Sequence, residues 1–320
     1  MRLLIYLLPR LAASLVTMFG VSLLVFLSLR AIPGGYADIL LGPFVTPAAR
    51  EAISLRYGLD EPVAIQFMRW LAALLQGDFG VSMVTRQPVL DEFLRRAPVT
   101  IELALIALGP ALLFGLSLGA LAGIGTTGRG GSVAGRLIGA LGSSVPDFVL
   151  GSVLIFVFSA WSLGLQVGGF VAFTHDPVEN MRVMLLPGLT LSVFGMALIL
   201  RTTRDAVLRI MTEGFITAAV ARGARPFEII RRHVVRNAAI PVVTVIGTYF
   251  GFLLGGAVIV EVLFSVPGIG LYTFNGLQNR DYAIVQAGVL LAAGVFIAIN
   301  MLADFAYALI DPRIGSEQGR

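Results

Sequence analysis

Apolar residues in this chain come in blocks long enough to cross a lipid bilayer, and the blocks alternate with short polar stretches. A hydrocarbon core about 30 Å thick takes roughly 20 apolar residues as a helix. On that rule six spans are expected, at about 11–29, 99–124, 137–160, 184–201, 241–264 and 283–309. The second, "VTIELALIALGPALLFGLSLGALAGI", is typical. Glycine and proline recur inside the blocks, at Gly109-Pro110, Pro146 and Gly255-Gly256, as membrane bundles tolerate where helices approach closely or bend. The first block is too long for a signal-peptide core and no clear small-x-small site follows it, so it reads as an uncleaved anchor.

Two polar segments interrupt this regularity. Residues 31–97 form a long first external loop of mixed charge, with six arginines and seven acids. Within it, "TPAAREAISLRYGL" from Thr46 and "EPVAIQFMRWLAALLQGDFG" up to Gly77 each show a helix start, apolar residues at helical spacing and a glycine stop. Two short amphipathic helices over the outer face are expected, serving as a spacer or as a platform for an external partner. The second polar segment, about 202–240, lies between spans four and five. Helical periodicity runs through "RDAVLRIMTEGFITAAVARG", Gly223 suits a C-cap, and Pro226 suits the first turn of a new helix. "PFEIIRRHVVRNAAIP" places Phe227, Ile230, Val234 and Val235 on one face and most arginines on another. The whole is a narrow helix–turn–helix outside the hydrocarbon, kept slim by Ala218, Ala219, Ala221 and Gly223.

Charge placement orients the spans. Arg2, Arg10, Arg129, Arg136, eight arginines between 201 and 236, Arg313 and Arg320 fall on one side, against Arg182 and Arg280 in the short loops opposite. Cytoplasmic loops carry the basic excess, so both termini and the 202–240 segment are expected in the cytoplasm. The first external loop is too long to count in that comparison.

Composition narrows the chemistry. A mean hydropathy of +0.89 with 13% charged residues exceeds what a water-soluble fold of 320 residues could bury. Without cysteine, disulfides and thiolate metal sites are excluded; two histidines, His175 and His233, are too few for most metal centres. All 23 basic residues are arginine, so there is no Walker A lysine and no Schiff base. The net charge of +4 and pI near 9.8 mark membrane topology here rather than nucleic-acid binding.

The order Ala219-x-Ala221-Arg222-Gly223-Ala224, followed by Ile240-Pro241, resembles the EAA loop of ABC-importer membrane subunits. Around it, "GDFGVS" (77–82), "RQPVLDEFLRRAPVTIELA" (86–104), "EVLFSVPGIG" (261–270), "NRDYAIVQ" (279–286) and "DPRIG" (311–315) are similar, in that order, to the first permease subunit of dipeptide/oligopeptide/nickel importers. The N-terminal "RLLIYLLPRLAASLVTMFGVSLLVFLSLRAIPGG" fits the same family, so the likeness covers nearly the whole chain. One departure is that Glu213-Gly214-Phe215 replaces a literal Glu-Ala-Ala, which leaves Glu213 without an implied role. The resemblance implies an all-α integral membrane protein of the type I importer kind. Its domains would be residues 1–30 with the first span, the external loop 31–97, a five-helix core 98–310 and a cytoplasmic tail 311–320. It implies a coupling helix, with Ala218, Ala219, Ala221, Arg222, Gly223, Ala224, Arg225 and Pro226, docking an ATPase subunit. It further implies a heterodimer with a second homologous permease subunit, two ABC ATPase subunits that bind ATP and Mg, an external substrate-binding protein and a bacterial or archaeal cytoplasmic membrane. This chain itself would hold no cofactor and carry out no catalysis. Peptides are the leading cargo, with nickel chelates, glutathione and sugars open.

Polar residues inside spans are costly and therefore informative. Asp147 in "SSVPDFVLG", beside Ser143 and Ser144, lies where proline disrupts span three; Asp147 and Ser144 could line the path, or Asp147 could cap the break. Glu102 and Glu261 fall near external ends and fit interfacial or helix–helix hydrogen bonds, and Asp304 fits a structural role. Arg201 and Arg204 are expected to snorkel, Trp161 to join an aromatic belt, and Tyr249 and Phe250 to pack. His233 fits surface packing, and His175 has no assigned task. Two other classes remain open on the residues alone. An ion-coupled secondary transporter would use Glu102, Asp147 or Glu261 as carriers, but no internal symmetry is evident. An intramembrane enzyme lacks any His-Glu-x-x-His or Gly-x-Ser-x-Gly motif.

Overall fold

The computed structural model of the protein describes residues 2–31, 46, 48, 51, 60–124, 137, 139–161 and 164–310. Among the described residues every regular element is helical, apart from one isolated antiparallel bridge between Val81 and Pro88. The helices are α1 (Arg2–Arg30), α2 (Val63–Leu75), α3 (Val89–Ile124), α4 (Asp147–Trp161) and α5 (Pro177–Met211), then α6 (Gly214–Ala221), α7 (Pro226–Ile229) and α8 (Val235–Gly256). The chain closes with α9 (Val258–Leu263), α10 (Ile269–Gln278) and α11 (Tyr282–Ile310).

Local sequence explains several boundaries. Asp176 Oδ1 accepts from the amides of Val178 and Glu179 at 3.0 Å, and Pro177 occupies the first position of α5. Asp91 and Glu92 stand in the first turn of α3, and Arg209 in the last turn of α5, each complementing the helix dipole. Among the described residues five helical segments are long and apolar enough to span a membrane: Leu8–Arg30, Val89–Ile124, Pro177–Met211, Pro226–Gly255 and Tyr282–Ala303. The expected third span, 137–160, is interrupted at Val145 and Pro146. The chain resumes as α4, whose 15 residues rise only about 22 Å. Proline removes an amide donor there, while the Ser143 and Ser144 hydroxyls fold back onto the carbonyls of Gly139 and Ala140. The expected fifth span is likewise broken, with α8 ending at Gly256 and α9 beginning at Val258.

The tightest pairing is α3 against α5. Gly115, Gly119 and Gly123 fall at intervals of four on one face of α3, a spacing that lets two backbones approach closely. A Cβ on Gly119 would lie 2.6 Å from the Leu200 carbonyl oxygen and 2.8 Å from Thr203 Cβ. Above this seam Leu103, Ala104, Ala107 and Ala111 of α3 bury against Met184, Leu186, Leu191 and Ile199 of α5, with Tyr249 and Leu253 of α8 completing the core. The Tyr249 ring lies directly over Gly195 and its hydroxyl donates to the Leu191 carbonyl at 2.9 Å, which is the packing role expected of it. Outward, Leu15, Val16 and Phe19 on α1 and Phe148, Val153 and Phe156 on α4 are exposed, as lipid-facing positions are. Trp161, at the end of α4, is 65% exposed, in keeping with an aromatic belt.

Of the two expected external helices, the second is α2. It ends just before Gly77 (φ 83°), the anticipated stop, and packs on α1. The rings of Phe67 and Trp70 each lie 5.3 Å from that of Phe26. The first, from Thr46, lies largely outside the described residues, as do 125–136 and 311–320. The helix of the second span also starts earlier than expected, at Val89, so residues assigned to the external loop up to 97 belong to α3.

Candidate functional site

At one end of the bundle α5 runs on to Met211, beyond the apolar block, and the chain turns at Thr212 and Glu213 into α6. Glu213 sits at the cap position in extended backbone, but its side chain makes no capping bond. α6 is closed by the glycine the sequence singled out. Gly223 takes φ 82°, its amide donates to Val220 O at 2.9 Å, and the amide of Ala224 reaches Ala219 O at 3.1 Å. These two bonds make the paired C-terminal closure that needs a left-handed residue. Arg225 is then extended, and Pro226 restarts the helix.

Beneath the turn lies a small apolar cluster. Ala206, Val207 and Ile210 of α5 meet Ile216 and Ala219 of α6, then Ile229, Val234 and Ala238 of the returning chain, with Ile124 of α3 and Ala224 alongside. Ala219 is therefore turned into the protein's own core, 3% exposed, and Ala224 is half-buried. A small side chain at these positions lets α6 lie close to α5. Ala218, Ala221, Arg222, Gly223, Arg225 and Pro226 are exposed and form the crest. The expected apolar face of the returning helix is also different. Ile229 and Val234 are buried, whereas Phe227 and Val235 are exposed. A π-helical turn over Ile230–Val234 inserts an extra residue per turn and rotates the following register. Glu228 pairs with Arg232 at 2.7 Å, Arg204 with Asp205 at 2.8 Å, and the His233 ring lies 5.7 Å from that of Phe215.

The other candidate residues do not converge. Asp147 opens α4 and is half-buried, while the exposed Ser144 donates to Ala140 O at 2.7 Å. His175 occupies the turn before α5, where its amide bonds to Ala172 O.

At the opposite end of the bundle the acids form three ties between distant segments. Glu102 of α3 accepts from Asn180 Nδ2 at 2.6 Å, and the same amide group holds the Val171 carbonyl at 2.8 Å. Glu261, fully buried on α9, accepts the Thr100 hydroxyl at 2.7 Å and the Leu271 amide at 2.9 Å, while Thr100 Oγ1 accepts from the Ile269 amide at 2.9 Å. The carboxylate thus closes the start of α10, and only glycine fits at Gly268, where a Cβ would strike it. Asp281, also fully buried, opens α11 and clamps loop 78–88: its Oδ2 accepts the Ser82 hydroxyl at 2.7 Å and the Met83 amide at 2.8 Å. Between these ties, burial pushes the Tyr272 hydroxyl up, with the carboxylates of Glu92 and Asp281 acting in the same direction and Arg96 against it. Hydrogen bonding between helices was one reading of Glu102 and Glu261. Ser82, Thr100 and Asp281 fall within the stretches that carry the family resemblance, but nothing local marks their pairing or that of Asn180, because each pairs across a large chain separation.

Asp281→Ala removes the acceptor shared by Ser82 and Met83, and each buried donor left unmatched costs about 1–3 kcal/mol. Faster limited proteolysis within 78–88 is expected, with helicity retained; a wild-type cleavage rate would contradict the clamp.

Residues 103–316 match the family described as binding-protein-dependent transport system inner membrane component, and residues 3–104 match its N-terminal counterpart. Among curated relatives, the probable peptide ABC transporter permease protein y4tP of Sinorhizobium fredii (strain NBRC 101917 / NGR234) is 37% identical over 97% of this chain and 99% of its own. The glutathione transport system permease protein GsiC of Escherichia coli (strain K12) is 37% identical over 97% of this chain and 98% of its own. An inward-facing structure of the MetNI methionine ABC transporter superposes with a TM-score of 0.55 at 19% identity, covering 70% of this chain and 98% of that one. It shares the fold.

Proposed function

The chain belongs to the family of binding-protein-dependent transport system inner membrane components, and from that premise we propose that it forms half of the translocation path of an ATP-driven peptide importer. As an ABC-importer permease it is a multi-pass protein of the inner membrane whose partners include an ATPase and a substrate-binding protein. In the finer reading it crosses the membrane six times, with α4 and the residues before it making the third crossing. Both termini are cytoplasmic, and the membrane is bacterial or archaeal. It pairs with a second homologous permease subunit and two ATPase subunits, which bind ATP and Mg; nothing catalytic is assigned to this chain.

The observation that carries this reading is the exposed crest of Ala218, Ala221, Arg222, Gly223, Arg225 and Pro226, standing on a cluster that joins the ends of α3, α5 and α8. A slim, positively charged crest suits a groove with acidic walls on the ATPase. Because α6 shares its base with three long helices, a displacement of the crest acts on all three at once. Nucleotide-driven closure of the ATPases would in this way shift the bundle between inward and outward states. Ala219 and Ala224 support the crest from beneath. Asp147 and Ser144, at the break before α4, are proposed to border the path, where a carboxylate could meet the amino group of a peptide.

The test is uptake by proteoliposomes holding this chain, its second permease, the ATPases and the binding protein. ATP-dependent uptake of labelled di- or oligopeptides is expected. Uptake by this chain alone under an ion gradient would contradict the reading and favour a secondary transporter. Glutathione is the second cargo reading, since a glutathione permease is as similar as a peptide one; competition between the two substrates separates them.

A further inference from the structure

Loop 78–88 has no task in the reading above beyond joining α2 to α3. α3 has 36 residues and rises about 54 Å, well beyond a hydrocarbon core of about 30 Å. Its Ile124 end packs under the arginine-rich crest, so the loop before Val89 lies at the opposite membrane face.

The loop is held by buried groups. Asp281 Oδ2 accepts from the Ser82 hydroxyl and from the amides of Met83 and Val84. Ser82 Oγ in turn accepts from the amides of Val84 and Thr85 at 3.2 and 3.0 Å. Backbone bonds from Ser82 N to Gln87 O, Arg86 N to Ser82 O and Val89 N to Gly80 O complete the frame. What this frame displays is unlike an ordinary connector. Val81 is 53% and Val84 59% exposed, and Arg86, exposed beside them, takes φ 60°. A left-handed arginine and two outward valines on backbone that is already fixed lower the ordering cost of a protein contact.

Side and chemistry choose the occupant. The family depends on a separate binding protein, and in the orientation proposed above that partner arrives at the face away from the ATPases. Two apolar side chains flanking a guanidinium fit an apolar dimple rimmed by carboxylates. We infer that loop 78–88 is a preorganised docking post for the external substrate-binding protein, with Val81, Val84 and Arg86 as its contact residues. The inference rests on the proposed importer function and orientation.

The test uses the assembled transporter in nanodiscs, with ATP hydrolysis titrated against loaded binding protein. The double variant Val84→Asp with Arg86→Glu is expected to raise the half-saturating concentration about tenfold or more, with the wild-type maximal rate regained at saturation. Half-saturation within about twofold of wild type would overturn the inference. A second variant does not depend on tolerance of new charges. Thr85→Cys, the only thiol in this cysteine-free chain, is labelled with a photo-crosslinking maleimide. An adduct with the binding protein is expected; adducts with lipid alone, or none, would overturn it. Were the ATPases not to co-purify with the wild-type chain, the importer reading would fall. If they co-purify while the loop variants respond as wild type, this surface alone falls.

Discussion

Replacing Gly119 by leucine is expected to abolish recovery of folded protein from the membrane. A single Cβ at this position would already sit 2.6 Å from the Leu200 carbonyl oxygen, 2.8 Å from Thr203 Cβ and 3.1 Å from Leu200 Cα. Two of those three atoms are backbone, so no side-chain rotation relieves the clash and α3 must move away from α5. Even Gly119→Ala overpacks the seam, which costs about 1–3 kcal/mol, and leucine adds three further carbons in the same place. The effect spreads because Gly115 and Gly123 make the same kind of contact one turn to either side. Gly20 in α1 is the control. A Cβ there meets nothing within 4 Å, and alanine is the better helix former by up to about 1 kcal/mol. Size-exclusion chromatography and thermal unfolding of the solubilised protein check this. Gly20→Ala should keep the wild-type profile and Gly119→Leu should lose it; a monodisperse Gly119→Leu protein would contradict the close-packed seam.

Glu261→Ala is expected to be the most destabilising change of an acidic residue. It strands the Thr100 hydroxyl and the Leu271 amide, both bonded to a carboxylate that is 0% exposed, and empties the space under Gly268. Two buried donors without acceptors at about 1–3 kcal/mol each, plus the void, give a loss of about 3–5 kcal/mol. Glu261→Gln keeps the volume and one carbonyl oxygen, so about half that loss is expected. Thermal unfolding at neutral pH orders the three proteins as wild type, glutamine, alanine. Alanine matching wild type would show that the tie between α3 and α10 is dispensable.

Much of this architecture follows from short-range patterns. Apolar block length located the long helices, because a bilayer allows few alternatives. Gly223 and Pro226 revealed the turn between α6 and α7, because left-handed backbone and a first-turn proline are local demands. The register after that turn was not legible. A π-helical insertion at Ile230–Val234 turns the register that follows and brings Val235 outward, and nothing in residue type distinguishes it from continuous helix. The buried ties were partly legible. Glu102 and Glu261 stood out as acids in apolar surroundings, but Thr100 lies 161 residues from Glu261 and Ser82 lies 199 from Asp281. Such pairings are decided by how α3, α9, α10 and α11 pack, which is a property of the assembled bundle. Ala219 shows the same limit: composition identifies it as small, and only packing on Ile216 and α5 shows that it faces inward.

The central claim is that the arginine-rich crest after α5 seats in an ATPase. Since the chain contains no cysteine, Ala221→Cys introduces one thiol at that crest, and a short bifunctional reagent can report its neighbour in native membranes. The account predicts a crosslink to the ATPase subunit and protection from membrane-impermeant maleimide added outside intact cells. Labelling from outside, with no ATPase adduct, would contradict it.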